Sequence, residues 1–352
     1  MLKIFENKPS AVGAWHGLEA WSAAEPQTYP VADPEPPFSL ELERDVETER
    51  DVEPEPTPTA VEPAAAPEQH EAKSRHVAAK PKSAAQATAP QTIVFCGAAG
   101  GVGRSSVSIN VAYELAAAGK SVALVDFDVE NPNLLAALNQ EAITSGLAGV
   151  KRLVGQGRFS GDDLGRLMMV LNFDGVRISV LPGMQAKSDG AQLVPVATEL
   201  VDALRHEFDH IVIDLPPGQS ELGDACLALA DASFAVCAGD PIGVQRFLWL
   251  KNHLDSLGLE REPHVLVNRV RDSVLGANAK RQLADTIVRL AGTDVTAFVP
   301  DDPAAFDLCL REGLPLQLGK KASPARHAVA MFVRQGLLSQ RSQLDWRVAR
   351  NG

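Results

Sequence analysis

The chain has 352 residues, 45% of them hydrophobic, and a formal net charge of −12, enough for a sizeable core and about one or two domains. No run reaches the length of a membrane span, and the folded part lacks the basic face that nucleic-acid binding wants. The four cysteines show neither paired metal spacing nor a disulfide framework, which suits buried reduced thiols in a cytoplasmic protein.

Charge and proline are unevenly spread. Residues 1–90 carry eight Lys and Arg against 16 Asp and Glu, two thirds of the net charge, and 13 of the 24 prolines. A stretch such as ELERDVETERDVEPEPTPTAVEPAAAPEQ cannot bury enough apolar area to offset chain entropy, so residues 1–91 read as a disordered acidic, Pro/Ala-rich tail. Within it, Trp15, Leu18 and Trp21 are spaced to share one helical face, which marks residues 1–22 as a docking motif for a protein partner.

From residue 92 apolar runs alternate with amphipathic stretches. The runs 92–97, 121–126, 176–181, 210–214, 233–238, 264–268 and 295–300 are β-branched and nearly continuous in apolarity, as strands buried on both faces are. Helical patterns lie between them at about 104–118, 193–207, 220–230, 242–257 and 276–291. This alternation predicts an α/β fold over residues 92–338: a doubly wound, mostly parallel sheet of about seven strands with helices on both faces.

Ligands on such sheets sit at the carboxyl ends of the strands. Read in order, those ends carry the glycine turn Gly97–Gly103, then Asp126-Phe127-Asp128, Asp214-Leu215-Pro216-Pro217-Gly218, Gly239-Asp240-Pro241, Asn268-Arg269 and Pro300-Asp301-Asp302-Pro303. The glycine turn suits either a dehydrogenase dinucleotide or a phosphate loop. A short-chain dehydrogenase needs Tyr-x-x-x-Lys, but Tyr113 is followed four residues on by Ala117 and Tyr29 lies in the tail. In the phosphate-loop reading Gly100, Gly101 and Gly103 let backbone N–H groups approach oxygen, and a helix from about Arg104 points its positive end at the phosphates. Ser105 supplies a hydroxyl for Mg²⁺, and Asp214 ends a buried strand as an acid that positions the metal's water would.

The pieces 98-AAGGVGRSS-106, 123-ALVDFDVENPNLLAAL-138, 211-IVIDLPPG-218, 265-VLVNRV-270 and 298-FVPDDPAAFDLCLREGLPL-316 resemble, in order and spacing, the MinD/ParA family of deviant-Walker P-loop ATPases. The resemblance implies ATP or ADP with Mg²⁺ on Gly100, Gly101, Val102, Gly103, Arg104, Ser105 and Ser106. It implies metal contacts from Ser105 and Asp214, and switching and water placement by Asp126 and Asp128. Asn268 and Arg269 would lie against the base, with the Pro300, Asp301 and Asp302 turn nearby. It also implies a homodimer that sandwiches nucleotide.

Two departures stand out: the signature lysine is Ala99 and the loop lysine is Arg104. Alanine removes a cation; arginine keeps the charge on a bulkier planar fork. Altered lysines are similar to those of the CpaE/TadZ pilus-localising and BcsQ cellulose-secretion branches. The functional expectation is therefore an ATP-switched dimer serving a cell-envelope machine, with a pseudo-ATPase adaptor as the alternative. Near the C-terminus, Ala328, Met331, Phe332 and Val333 are expected to dock on the sheet as a last core helix. In the tail 339–352, Leu344, Trp346 and Val348 among Arg341, Arg347 and Arg350 form a short candidate membrane-surface anchor.

Overall fold

The computed structural model describes residues 91–185, 191–271, 278–319 and 322–339. The acidic tail, the aromatic motif at 1–22 and the candidate anchor beyond residue 340 lie outside them.

Among the described residues eight strands form one sheet: β1 (Gln91–Cys96), β2 (Val122–Asp126), β3 (Met169–Phe173), β4 (Val176–Leu181), β5 (His210–Asp214), β6 (Ala232–Ala238), β7 (His264–Val270) and β8 (Val295–Pro300). Their spatial order is β3-β4-β2-β5-β1-β6-β7-β8, and only the β3–β4 pair is antiparallel. The α/β, mostly parallel architecture is the one expected; the eighth strand, β3, is additional. Its hairpin turns through Asp174 (φ 50°) and Gly175 (φ 86°), the two positive φ values of a mirror-image two-residue turn.

Each inner strand alternates between two cores. In β1, Ile93 and Phe95 face one cluster while Val94 and Cys96 face the other, so neither side of the strand sees water. One cluster packs under α3 (Gly146–Gly155), α5 (Val194–Glu207), α6 (Glu221–Ala228), α7 (Pro241–Ser256) and α8 (Ala279–Ala291). The other packs under α1 (Arg104–Ala117), the short α2 (Leu134–Ala137), α9 (Pro303–Glu312) and α10 (Pro324–Phe332), while the single turn α4 (Leu164–Leu167) leads into β3. The expected C-terminal core helix is α10. Phe332 meets the Phe234 ring edge-on at 5.0 Å, and Phe234 stacks on Phe95 at 5.5 Å, which ties the last helix to the centre of the sheet. Val329, Phe332 and Val333 are buried there, whereas Ala328 and Met331 are half-buried at the flank.

The topology places the site. From β1 the chain crosses to β2 and β4, returns through β5 to fill the gap beside β1, then continues outward through β6, β7 and β8. The carboxyl ends of β5, β1 and β6 therefore frame the crevice at the reversal point, where such sheets hold ligands.

Candidate functional site

The glycine turn leaves β1 and feeds α1 directly. Gly101 (φ 76°) and Gly103 (φ 92°) take left-handed backbone, and Gly103 is the N-cap of α1 with no side chain capping it. A β-carbon at Gly103 would lie 2.2 Å from Asn268 Nδ2, so only glycine fits between the loop and β7. Asn268 is buried at the end of β7 and donates from Nδ2 to the carbonyl of Val102 at 2.9 Å, bracing the turn from below. The amino end of α1 thus opens onto the crevice with its positive dipole end.

Two carboxylates meet the first turn of α1, and a third stands on the neighbouring strand end. Asp214, fully buried at the end of β5, accepts from Ser105 Oγ at 2.6 Å, and burial pushes its carboxyl up to about 7. Asp128 accepts from Arg104 Nη2 at 3.4 Å and from the backbone N–H of Asn131 at 3.0 Å. Asp126, the register partner of Asp214, accepts from the backbone N–H groups of Asp128, Asn133 and Leu134, each at 3.1 Å. Its carboxyl is raised to about 6, again chiefly by burial. Asp126 therefore ties the whole loop 127–134 into one shape and sets where Asp128 stands.

Six buried side-chain polar atoms among the described residues have no hydrogen-bond partner, and four of them belong here: Arg104 Nε and Nη1, Asp214 Oδ1 and Asn268 Oδ1. Orphaned buried groups cost roughly 1–3 kcal/mol each, and more when charged. A buried guanidinium with two idle nitrogens fits an anion with several oxygens. An idle carboxylate oxygen beside a serine hydroxyl fits a divalent cation or its water. The donor set is thus that of a phosphate ester with Mg²⁺, and the remaining Mg²⁺ ligands would be phosphate oxygens and water, as is usual for this ion.

Gly100, Gly101 and Val102 form one wall of a cavity of about 360 Å³. Arg269 and Asp301, both anticipated, line it as well, and so do Asp240, Arg246 and Arg271, which sequence reasoning did not single out as ligand contacts. Ser106 lies in the first turn of α1, where its carbonyl accepts from Asn110 Nδ2 at 2.7 Å. Pro300 ends β8, and Asp302 caps α9 by accepting the N–H of Ala305 at 3.3 Å. The Pro300–Asp302 turn thus brings Asp301 to the cavity while Asp302 faces the helix. The only His-x-x-x-His spacing in the chain, His206 and His210, joins the exposed end of α5 to the buried start of β5 and forms no metal pair. Among the described residues there is no cluster of three His, Cys, Asp or Glu side chains suited to a metal, and no helix long and apolar enough to cross a membrane.

Known proteins resemble the chain in sequence and in fold. MinD, the septum site-determining protein of Bacillus subtilis (strain 168), is 28% identical over 216 residues, covering 60% of this chain and 76% of the relative. Among solved structures, the MinC:MinD cell division protein complex of Aquifex aeolicus superposes with a TM-score of 0.57 at 21% identity, covering 71% of this chain and 96% of the other. MinD of Pyrococcus horikoshii OT3 complexed with Mg-ADP gives 0.55 at 19% identity, covering 72% and 100%. A family model described as the CobQ/CobB/MinD/ParA nucleotide binding domain matches residues 93–315, from the first strand through the glycine turn and every strand end described above, and the chain belongs to that family.

Proposed function

We propose that the chain is a Mg²⁺-dependent binder of ATP or ADP acting as a nucleotide-switched homodimer that positions or regulates a cell-envelope machine, whether for pili, cellulose secretion or division. The observation that carries the binding reading is the buried, half-unpartnered Arg104 on a glycine loop whose next residue, Ser105, is bonded to Asp214. The Pyrococcus relative complexed with Mg-ADP and the Aquifex MinD complexed with MinC lend support to a nucleotide and to a protein partner.

The chain's own residues divide the work. The loop Gly100–Ser106 and the amino end of α1 receive the phosphates, and Arg104 turns its idle nitrogens to them. Ser105 and Asp214 would hold Mg²⁺, which when bound would supply positive charge to the phosphates. Asp128 orients the attacking water, and Asp126 holds Asp128 in place through the backbone. Asn268 and Arg269 face the base, with Pro300, Asp301 and Asp302 forming the turn beside them.

One observation favours a second reading. Arg104 occupies Asp128 with an ion pair at 3.4 Å, and Ala99 offers no cation, a combination that suits a pseudo-ATPase adaptor recruiting its partner through residues 1–22. Calorimetry on the full chain with Mg-ATP and Mg-ADP, beside phosphate release on the same samples, separates the two. Binding that Ser105→Ala makes insensitive to Mg²⁺ is the expected result. Binding with no release above background selects the adaptor, and no binding of either nucleotide at millimolar concentration removes the nucleotide reading altogether.

A further inference from the structure

A second cavity, of about 260 Å³, lies along the last helix and is lined by Gln317, Ser323, Arg326, His327, Ala330 and Arg334. We propose that it is an anion site, which takes the phosphate group of a small phosphorylated ligand between Arg326 and Arg334. Nothing in it depends on the nucleotide-binding reading above. Glu114, the acid behind it, lies ten residues along α1 from Arg104, about 15 Å at the rise of a helix.

Charge points to an anion. The chain carries a net −12, yet residues 313–344 hold five Lys and Arg and no Asp or Glu. Among the described residues, none with a carboxylate lines the cavity. The acid that feels both arginines is Glu114: burial raises its carboxyl, and the charges of Arg334 and Arg326 pull against that rise. Glu114 is itself buried and accepts from Gln317 Nε2. Two guanidiniums thus share one acid, and a positive charge is left over for a ligand.

Geometry gives that charge a shape. Arg326, Ala330 and Arg334 recur every four residues, so they stand along one helical face, and the small side chain of Ala330 leaves space between the two arginines. Arg326 is held from both sides: its Nε donates to Gln317 Oε1, and its backbone N–H donates to Ser323 Oγ at 3.1 Å. Arg334 lies in a π-turn, Val333–Leu337, closed by the N–H of Leu338 on the carbonyl of Val333 at 3.0 Å. Such widened turns are rare and gather at functional sites. Beneath the cavity Val329 and Phe332 are fixed in the core, so the arginines stand on a rigid element.

The cavity is smaller than the pockets of about 300–1,000 Å³ that enclose drug-sized ligands, which suits a phosphate with a few carbons attached. A guanidinium fork matches phosphate oxygens in pairs, and two forks suit a group with three or four oxygens better than a carboxylate.

Two probes carry the same phosphate monoester, one free and one on a lipid: glycerol phosphate, and phosphatidylcholine vesicles containing phosphatidic acid. Calorimetry of the full chain with the first and cosedimentation with the second test the site. Binding is expected, and Arg326→Ala and Arg334→Ala should each weaken it about tenfold, the size of one lost charge-assisted contact. Arg334 is exposed, so its variant probes the site without disturbing the core. Ala330→Leu keeps both charges but fills the space between them, and should abolish binding. Arg152→Ala, which removes an exposed cation on α3, should change nothing. Binding of glycerol phosphate makes the ligand a soluble ester, and binding of the vesicles alone makes it a lipid headgroup. Binding of neither probe, or binding that survives both arginine variants, overturns the proposal and leaves the nucleotide reading untouched.

Discussion

Arg104 shows what one substitution does to an otherwise familiar loop. A lysine offers a single compact charge; the guanidinium here spends one nitrogen on Asp128 and leaves two for a ligand. Its burial makes it a commitment, because an unpaired charge in the interior is costly enough that some partner must be at hand. A second buried group, remote from the phosphates, sets a pH dependence. His210 begins β5, is buried, has an unpartnered Nδ1, and burial pushes its pKa down to about 4. Between about pH 6.5 and 4 the unfolded chain takes up a proton that the folded chain refuses. Stability is therefore full above pH 6.5 and falls as the pH drops through that window, by about 3 kcal/mol from this residue alone. Asp126 and Asp214, raised by burial, act with the opposite sign over an overlapping range, so the informative quantity is a difference between variants. Urea unfolding at pH 7.5 and pH 5 should show His210→Val losing less stability on acidification than wild type. Equal losses in the two proteins would remove this account.

Among the elements, those with a strong local period were legible before any coordinates. The seven expected strands are continuous apolar runs closed by an acid or a turn residue, and their order dictates a parallel sheet. The acids at strand ends were legible for the same reason, since the fold class alone puts them on one edge. The hairpin strand β3 was not, because MVLNF follows the single turn α4 and has no clean alternation; the Asp174-Gly175 pair was the available signal. Nor was the work of Asp126, whose partners Asn133 and Leu134 belong to a four-residue helix that carries no period. Arg246 and Arg271 become cavity residues only through long-range placement of α7 against β6 and β7, which no local pattern encodes. The hairpin offers a direct check. A β-carbon at Gly175 would touch nothing within 4 Å, so any cost of Gly175→Val is backbone strain at φ 86° and not collision. The variant should lose about 1–2 kcal/mol and a few degrees of melting temperature, while its nucleotide affinity stays at the wild-type value. A loss of affinity would mean that β3 and β4 couple to the crevice more tightly than the sheet order implies.

For the whole molecule the decisive cation is the absent one. In the dimer proposed above, the resemblance implies that the residue at position 99 reaches the nucleotide of the opposite subunit, so its chemistry would be felt only when two chains meet. Ala99 is half-buried against the core under α1, and a lysine there has a stem long enough to keep its ammonium in water while the methylenes cover apolar surface. Folding should tolerate it. The acids proposed to hold metal and water, Asp214 and Asp128, stand beside the first turn of α1, so on that proposal the lesion is specific to positive charge. A cation delivered in trans to a transferring phosphoryl group is worth about 10³ or more in rate. Ala99→Lys with Arg104→Lys should therefore raise phosphate release well above wild type, with a rate per chain that climbs with protein concentration as dimers form. Adding Asp128→Ala should erase the gain without erasing nucleotide binding. If the double-lysine chain binds ATP and dimerises but releases phosphate no faster than wild type, charge is not the missing element, and the roles proposed for Asp126 and Asp128 must be given up.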